Sequence, residues 1–182
     1  MTIYLREIQR SDLTDINRWR NDKSLVDFLG APFRFIDKEI DEKWFDNYLS
    51  SRTNNIRLAI CETSSNKLLG AIYLLQIDWL NRSCEYAIQI GETSSHGRGI
   101  GFQATMKILE HAFYDLNINR VFLTVLESNE RAIRLYRKIG FIEEGKCRKA
   151  VFKNGRYTDL VQMSILLDEF NAAYAVIDAK SP

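Results

Sequence analysis

His96-Gly97-Arg98-Gly99-Ile100-Gly101 stands between an apolar strand pattern, Glu85-Tyr86-Ala87-Ile88-Gln89-Ile90-Gly91, and an amphipathic helix pattern running from about Ile100 to Leu116. Glycines at alternate positions leave the backbone bare where a helix begins. A helix start already offers unpaired N–H groups and the positive end of the helix dipole. Bare backbone there is a seat for an anion, and a phosphate or pyrophosphate fits it. The rival reading is a tight turn without a ligand.

The rest of the chain sets the frame for this element. With 182 residues, 46% of them apolar and 27% charged, a single soluble domain is expected. We place it over residues 1–170, with 171–182 as a loose tail. A net charge of +1 argues against bulk attraction to nucleic acid or membrane. No apolar run approaches membrane-spanning length, and no signal peptide pattern opens the chain. Cys61, Cys84 and Cys147 are widely spaced and odd in number. They read as reduced thiols of a cytoplasmic protein, neither a disulfide frame nor a zinc site, and no metal is expected.

Alternation predicts a first strand over Thr2–Glu7. Ser11 is the expected cap of a helix with Leu13, Ile16 and Trp19 on one face. Residues 21–35 read as irregular. Asp37 should cap a second helix with Ile40, Trp44, Phe45 and Tyr48 facing inward. Strands follow over Ile56–Glu62 and Lys67–Ile77, then the glycine-flanked strand and helix. Arg120–Leu126 is a buried strand by its β-branched and aromatic content. A helix over Asn129–Lys138 ends at Gly140. Phe141–Phe152 and Tyr157–Leu167 form a hairpin across Lys153-Asn154-Gly155-Arg156, since Asn-Gly favours a two-residue turn. This order predicts an α+β (mixed α/β) fold: a mostly antiparallel, twisted sheet of about seven strands flanked by about four helices.

A nucleotide-triphosphate loop is absent, because no Gly-Lys-Ser/Thr follows the glycines. The spacing Gly97-x-Gly99-x-Gly101 also fails the dinucleotide fingerprint. His96-x-x-Gly99-x-Gly101, followed by Asn129-Glu-Arg-Ala132-Ile-Arg-Leu-Tyr136-Arg-Lys-Ile-Gly140-Phe141, resembles the GNAT superfamily of N-acetyltransferases. Phe152-Lys-Asn-Gly-Arg-Tyr157-x-Asp159 and Asn81-Arg-Ser-Cys-Glu85 look like the subgroup of ribosomal-protein N-terminal and spermidine acetyltransferases. His96 departs from the Gln or Arg usual at its position.

The resemblance implies acetyl-CoA as acetyl donor. His96, Gly97, Arg98, Gly99, Ile100 and Gly101 would hold its pyrophosphate. The strand Tyr86–Ile90, through Ile88, Gln89 and Ile90, would pair with the pantetheine arm, and Asn129 would hydrogen-bond it. A strand N–H would polarise the thioester carbonyl. Tyr136 would protonate the departing thiolate. An alkylamine with a pKa near 10.4 is neutral in roughly one molecule in a few thousand at pH 7. A base or water relay therefore helps, and Glu85 is the best-placed carboxylate. Bland rivals stand beside these roles: Tyr136 as packing, Glu85 as a solvated strand end, Asn129 or Ser128 as a helix cap, His111 as a surface residue.

For the acceptor, Arg20, Arg34 and Arg57 suit a phosphate or carboxylate. Trp19, Phe33, Phe35 and Trp44 suit a flat ring, although core packing explains the two tryptophans equally well. Arg34, Phe33, Glu85 and Tyr157 are the expected acceptor contacts. The favoured acceptor is a small-molecule primary amine with an anionic group, such as a nucleotide-linked amino sugar. Polyamines and protein N-termini are the alternatives. A non-catalytic acyl-CoA-binding module is the reading from another class, and pairing into a homo-oligomer is compatible with the late strands.

Overall fold

In the computed structural model, which describes residues 1–95 and 97–178, seven strands form one sheet in the order β1-β2-β3-β4-β5-β7-β6. The strands are β1 Ile3–Glu7, β2 Ile56–Glu62, β3 Leu68–Asp78, β4 Ser83–Ile90, β5 Arg120–Leu126, β6 Ile142–Lys153 and β7 Arg156–Leu166. All neighbours pair antiparallel except β4 and β5. The expected sheet is thus present, with β2 and β5 at their predicted ends.

Six α-helices lie among the described residues, where about four were expected: α1 Leu13–Arg20, α2 Lys23–Val26, α3 Lys38–Ser50, α4 Ile100–Glu110, α5 Glu130–Ile139 and α6 Leu167–Asp178. One addition is α2, inside the stretch read as irregular. The Asp22 side chain accepts the Ser24 N–H and starts it. The other is α6. The supposed tail from residue 171 continues as helix to Asp178, because Phe170 is fully buried and stacks on Phe113 and Tyr174.

The two faces of the sheet bury separate cores. Under α4, α5 and α6 lie Ile72, Leu74, Tyr86, Val121, Leu123 and Phe141. Under α1 and α3 lie Ala59, Cys61 and Ala71, packed by Ile16, Trp19 and Phe45. Two details of that second layer differ from expectation. Ser11 does not cap α1. A short 3-10 turn precedes the helix, and the Asp12 carboxylate takes the Gln9 N–H while pairing with Arg6. Asp37 does cap α3 through the Glu39 N–H, but Ile40 is exposed. Asp41 turns inward instead, fully buried, bonded by Asn17 and by Arg20.

Cys61 and Cys84 are buried and Cys147 exposed, all as free thiols. No helix is long and apolar enough to cross a membrane among the described residues.

Candidate active site

The feature that opens the site is a break between parallel neighbours. β4 pairs with β5 from Ser83↔Arg120 to Glu85↔Phe122, and no further. On its other edge β4 stays bonded to β3 up to Ile90. β5 is likewise held by β7 along its full length. The two strands therefore part after Glu85. Their inner edges, residues 86–90 and 124–126, line a cleft of about 810 Å³.

At one end of the cleft the chain turns from β4 into α4. Gly97 and Gly99 have φ of +79° and +77°, a left-handed conformation that side chains resist. A Cβ would meet nothing within 4 Å at Gly97, and at Gly99 only the tip of Gln103 at 4.0 Å. The space above both is open. Gly99 caps α4, whose first backbone bond is Gln103 N–H to Gly99 C=O. The N–H groups of residues 100–102 thus emerge at the helix end. Gly101 is small for another reason: a Cβ there would sit 3.2 Å from Leu135 on α5. These residues leave bare backbone and helix-start N–H groups at the cleft, chemistry that suits a phosphate.

The wall on the β5 side comes from α5. Asn129 caps it by accepting the Ala132 N–H at 3.2 Å, and its amide donates to the Phe28 carbonyl at 3.1 Å. Both ends of that side chain are thus engaged within the protein. Tyr136 belongs to the buried stripe Ile133, Tyr136, Ile139. Its ring meets Tyr86 edge-on at 5.9 Å and Phe141 at 5.6 Å. Burial pushes its phenol pKa well up. Tyr86 is locked in turn by a 2.7 Å hydrogen bond with Thr105, whose hydroxyl donates to the Gly101 carbonyl.

Glu85 lies where the strands begin to part, and its carboxylate accepts from Gln76 Nε2 at 2.9 Å. Leu25, residues 28–31 and Tyr73 also line the cleft, and the Asn129 bond to the Phe28 carbonyl ties this segment to the start of α5. Burial raises the Tyr73 phenol to about 12.

Of the residues expected from sequence, Glu85, Tyr136, Asn129, Ile88, Gln89 and Ile90 share this cleft with Gly97, Gly99, Ile100 and Gly101. His96 lies outside the described residues. Arg98 is exposed and does not line the cleft. The expected acceptor contacts fare differently. Arg34 is exposed, Phe33 packs edge-on against Phe35, and neither reaches the lining. Tyr157 is 65% exposed and stacks on Phe152 at the hairpin tip. The wall comes from Leu25 and from residues 28–31 just after α2, while the chain beyond them is tied to α1, where Asn17 and Asn21 donate to the Ile36 carbonyl. Arg20 is taken by Asp41. Arg57 lies over Trp44, Tyr48 and Tyr73. Trp19 is core. His111 pairs with Asp115 one turn on.

Sequence reading missed Arg131 and Lys138, which both line the cleft. Their spacing of seven on α5 places them on one helix face and was the available signal. It also missed Tyr73 and the wall of Leu25 and residues 28–31, which carry no local signature. Among the described residues no three His, Cys, Asp or Glu side chains are placed to hold a metal ion.

Comparison with known proteins matches this geometry. Residues 2–142 fit the family model described as the acetyltransferase (GNAT) domain. The spermidine N(1)-acetyltransferase of Vibrio cholerae serotype O1 is 30% identical over 169 residues, covering 91% of this chain and 94% of that protein. The putative ribosomal N-acetyltransferase YdaF of Bacillus subtilis is 37% identical over 103 residues, 57% of this chain and 56% of the relative. In three dimensions, spermidine N-acetyltransferase from Vibrio cholerae, crystallised with CoA and spermine, superposes with a TM-score of 0.87. That match has 26% identity and covers 93% of this chain and 98% of the other. Parted strands, a glycine turn at a helix start and a buried tyrosine across the gap thus coincide with a family match over most of the chain, which belongs to the GNAT family of acetyltransferases, enzymes that use acetyl-CoA as donor.

Proposed function

We propose that the chain transfers the acetyl group of acetyl-CoA to a primary amine, with a polyamine of the spermidine type as the favoured acceptor. The observation that carries the transfer is the shared cleft: a β4 edge that β5 leaves after Glu85, a glycine turn at the start of α4, and Glu85 and Tyr136 in the lining. Bound acetyl-CoA supplies an activated thioester. The N–H groups of Gly99–Phe102, with Arg131 and Lys138, neutralise its phosphates. An N–H on the free edge of β4 polarises the acyl oxygen. Glu85 takes the ammonium proton, directly or through one water, so the amine presents its lone pair. The amine nitrogen then bonds the acyl carbon, and the C–S bond breaks as the adduct collapses. Tyr136 gives its phenolic proton to the departing sulfur, its phenolate recovering the proton that the acylated nitrogen sheds through water. A phenol raised by burial stays protonated throughout the physiological range, the state this role needs.

The acceptor follows from what the cleft offers. Among its described lining residues Glu85 is the one carboxylate, and the wall from Leu25 and residues 28–31 is apolar. The anionic-acceptor reading rested on Arg20, Arg34 and Arg57. Arg20 is in an ion pair and Arg34 lies outside. Relatives named for spermidine match over 91% and 95% of this chain. One observation still favours an anionic amine as second reading: the buried Nε of Arg57 has no hydrogen-bond partner among the described residues, and Tyr73 beneath it lines the cleft.

The test is acetyl-CoA turnover, followed by thiol release, with spermidine, nucleotide-linked amino sugars and short peptides. Spermidine turnover at least tenfold above the others supports the proposal. Preferential turnover of an anionic amine, abolished by Arg57→Met, replaces it with the second reading.

A further inference from the structure

Strand β6 is exposed along nearly its whole length, yet its last residue, Lys153, is buried. Burying an ammonium is costly unless its donors are all used. Here they are. Lys153 Nζ donates to the carbonyls of Val26 (2.6 Å), Leu29 and Ala31 (2.8 Å). An apolar side chain would fill the same space without the desolvation cost. It would not draw three carbonyls from one short stretch to a single point, which needs a group with three donors and no acceptor. Those carbonyls belong to or adjoin Leu29, Gly30 and Ala31, which line the same cleft as Glu85. Around the ammonium, Asp27 is engaged by Lys23, and Lys23 also reaches Asn154 in the same hairpin turn.

We propose that Lys153 is a positioning residue for the amine acceptor: by gathering the Val26, Leu29 and Ala31 carbonyls it curls the turn after α2, residues 28–31, into the shape against which the acceptor binds. The hairpin tip, outside the cleft, thereby sets acceptor affinity. The proposal rests on the acetyl-transfer reading above.

Lys153→Met and Lys153→Arg are compared with the wild type for KM of the amine, KM of acetyl-CoA and kcat, using whichever amine the wild type turns over best. Lys153→Met is expected to raise the amine KM at least tenfold, with kcat and the acetyl-CoA KM within twofold. Lys153→Arg, which keeps charge and donors, is expected to recover most of the loss. An amine KM within twofold of wild type in a folded Lys153→Met variant overturns the proposal. So does an equal loss in all three parameters. If Lys153→Met does not fold, Lys153→Gln, which keeps two N–H donors without the charge, is judged by the same criteria. Amide exchange at residues 28–31 is read on the same proteins and needs no acceptor. A tenfold faster exchange is expected, and unchanged protection overturns the proposal. Failure of the wild type on every amine would strike the function reading instead.

Discussion

Replacing Tyr136 with phenylalanine tests the chemistry most directly, because the structure separates its hydroxyl from its ring. The ring is held by Tyr86 and Phe141, and Phe keeps those contacts. The hydroxyl has no hydrogen-bond partner among the described residues, so removing it leaves none unpaired. Stability should therefore change by less than about 1 kcal/mol, the net worth of a typical hydrogen bond. The rate should change far more. A positioned general acid contributes roughly 10²–10⁴-fold. Against water as substitute donor we expect kcat to fall about 10²–10³-fold, or about 2.7–4 kcal/mol of barrier. The assay is thiol release at saturating amine, with the acetyl-CoA Kd measured separately by calorimetry. The Kd should stay within about twofold, since a binding-only role would spend nothing on a proton donor. Because burial holds the phenol well above its ordinary value, the wild type should also show no loss of kcat from this group up to about pH 10. A kcat within threefold of wild type, or a Kd that weakens in step with the rate, would refute the acid role.

Other expectations concern what holds the site. Asp41→Ala leaves Arg20 and Asn17 without their buried carboxylate. Removing one partner of a buried pair costs about 3–5 kcal/mol, and the lower end applies because Arg20 is 32% exposed. Thermal unfolding should show a Tm lower by roughly 6–12 °C; a drop under 2 °C would contradict the burial. In Gly91→Ala the new Cβ would lie 1.9 Å from the Trp19 ring, whereas at Gly145 it would meet nothing within 4 Å. Urea unfolding should show Gly91→Ala less stable by at least about 1–3 kcal/mol and Gly145→Ala close to wild type. Equal effects would count against the packing described for Trp19. Glu144 is bonded by Arg120 and by Ser164, which holds its carboxyl at about 2 instead of 4.5. A depressed carboxyl contributes stability above its unfolded pKa and loses it as pH falls toward the folded one. Stability should therefore drop between about pH 4.5 and 2, and Glu144→Gln should flatten that limb in urea titrations. An unchanged slope would remove Glu144 as its source.

Local chemistry made much of this protein legible from sequence. Residues 56–62 and 120–126 alternate or cluster β-branched side chains over a strand's length. Asn154 and Gly155 adopt the positive φ that Asn-Gly accepts at low cost. Gly140 ends α5 with φ +115°, and Asn129 starts it. Gly97 and Gly99 mark the α4 start through a conformation that other residues resist. Each signal depends on a few neighbouring residues and on backbone preference, so it can be read in one dimension. α6 sits at the limit of such reading. Leu167, Phe170 and Tyr174 have helical spacing, but a chain end frays unless something packs on it. Here Phe113 and Tyr114 supply that packing.

What only the tertiary structure decided is where the charges go and where the cleft opens. Arg20 looked free for a ligand until α1 met α3 and gave it Asp41. Arg34 and Phe33 were in the right segment but outside its inner surface. Lys153 reads as a hairpin lysine, yet it bonds carbonyls more than a hundred residues earlier in the chain. The parting of β4 from β5 is implied by the family resemblance but by no local residue pattern, and in the structure β3 and β7 hold each strand's far edge. Propensity and periodicity act between near neighbours along the chain. Ion pairing, desolvation and strand divergence depend on which distant segments meet, and that is settled only when the core closes.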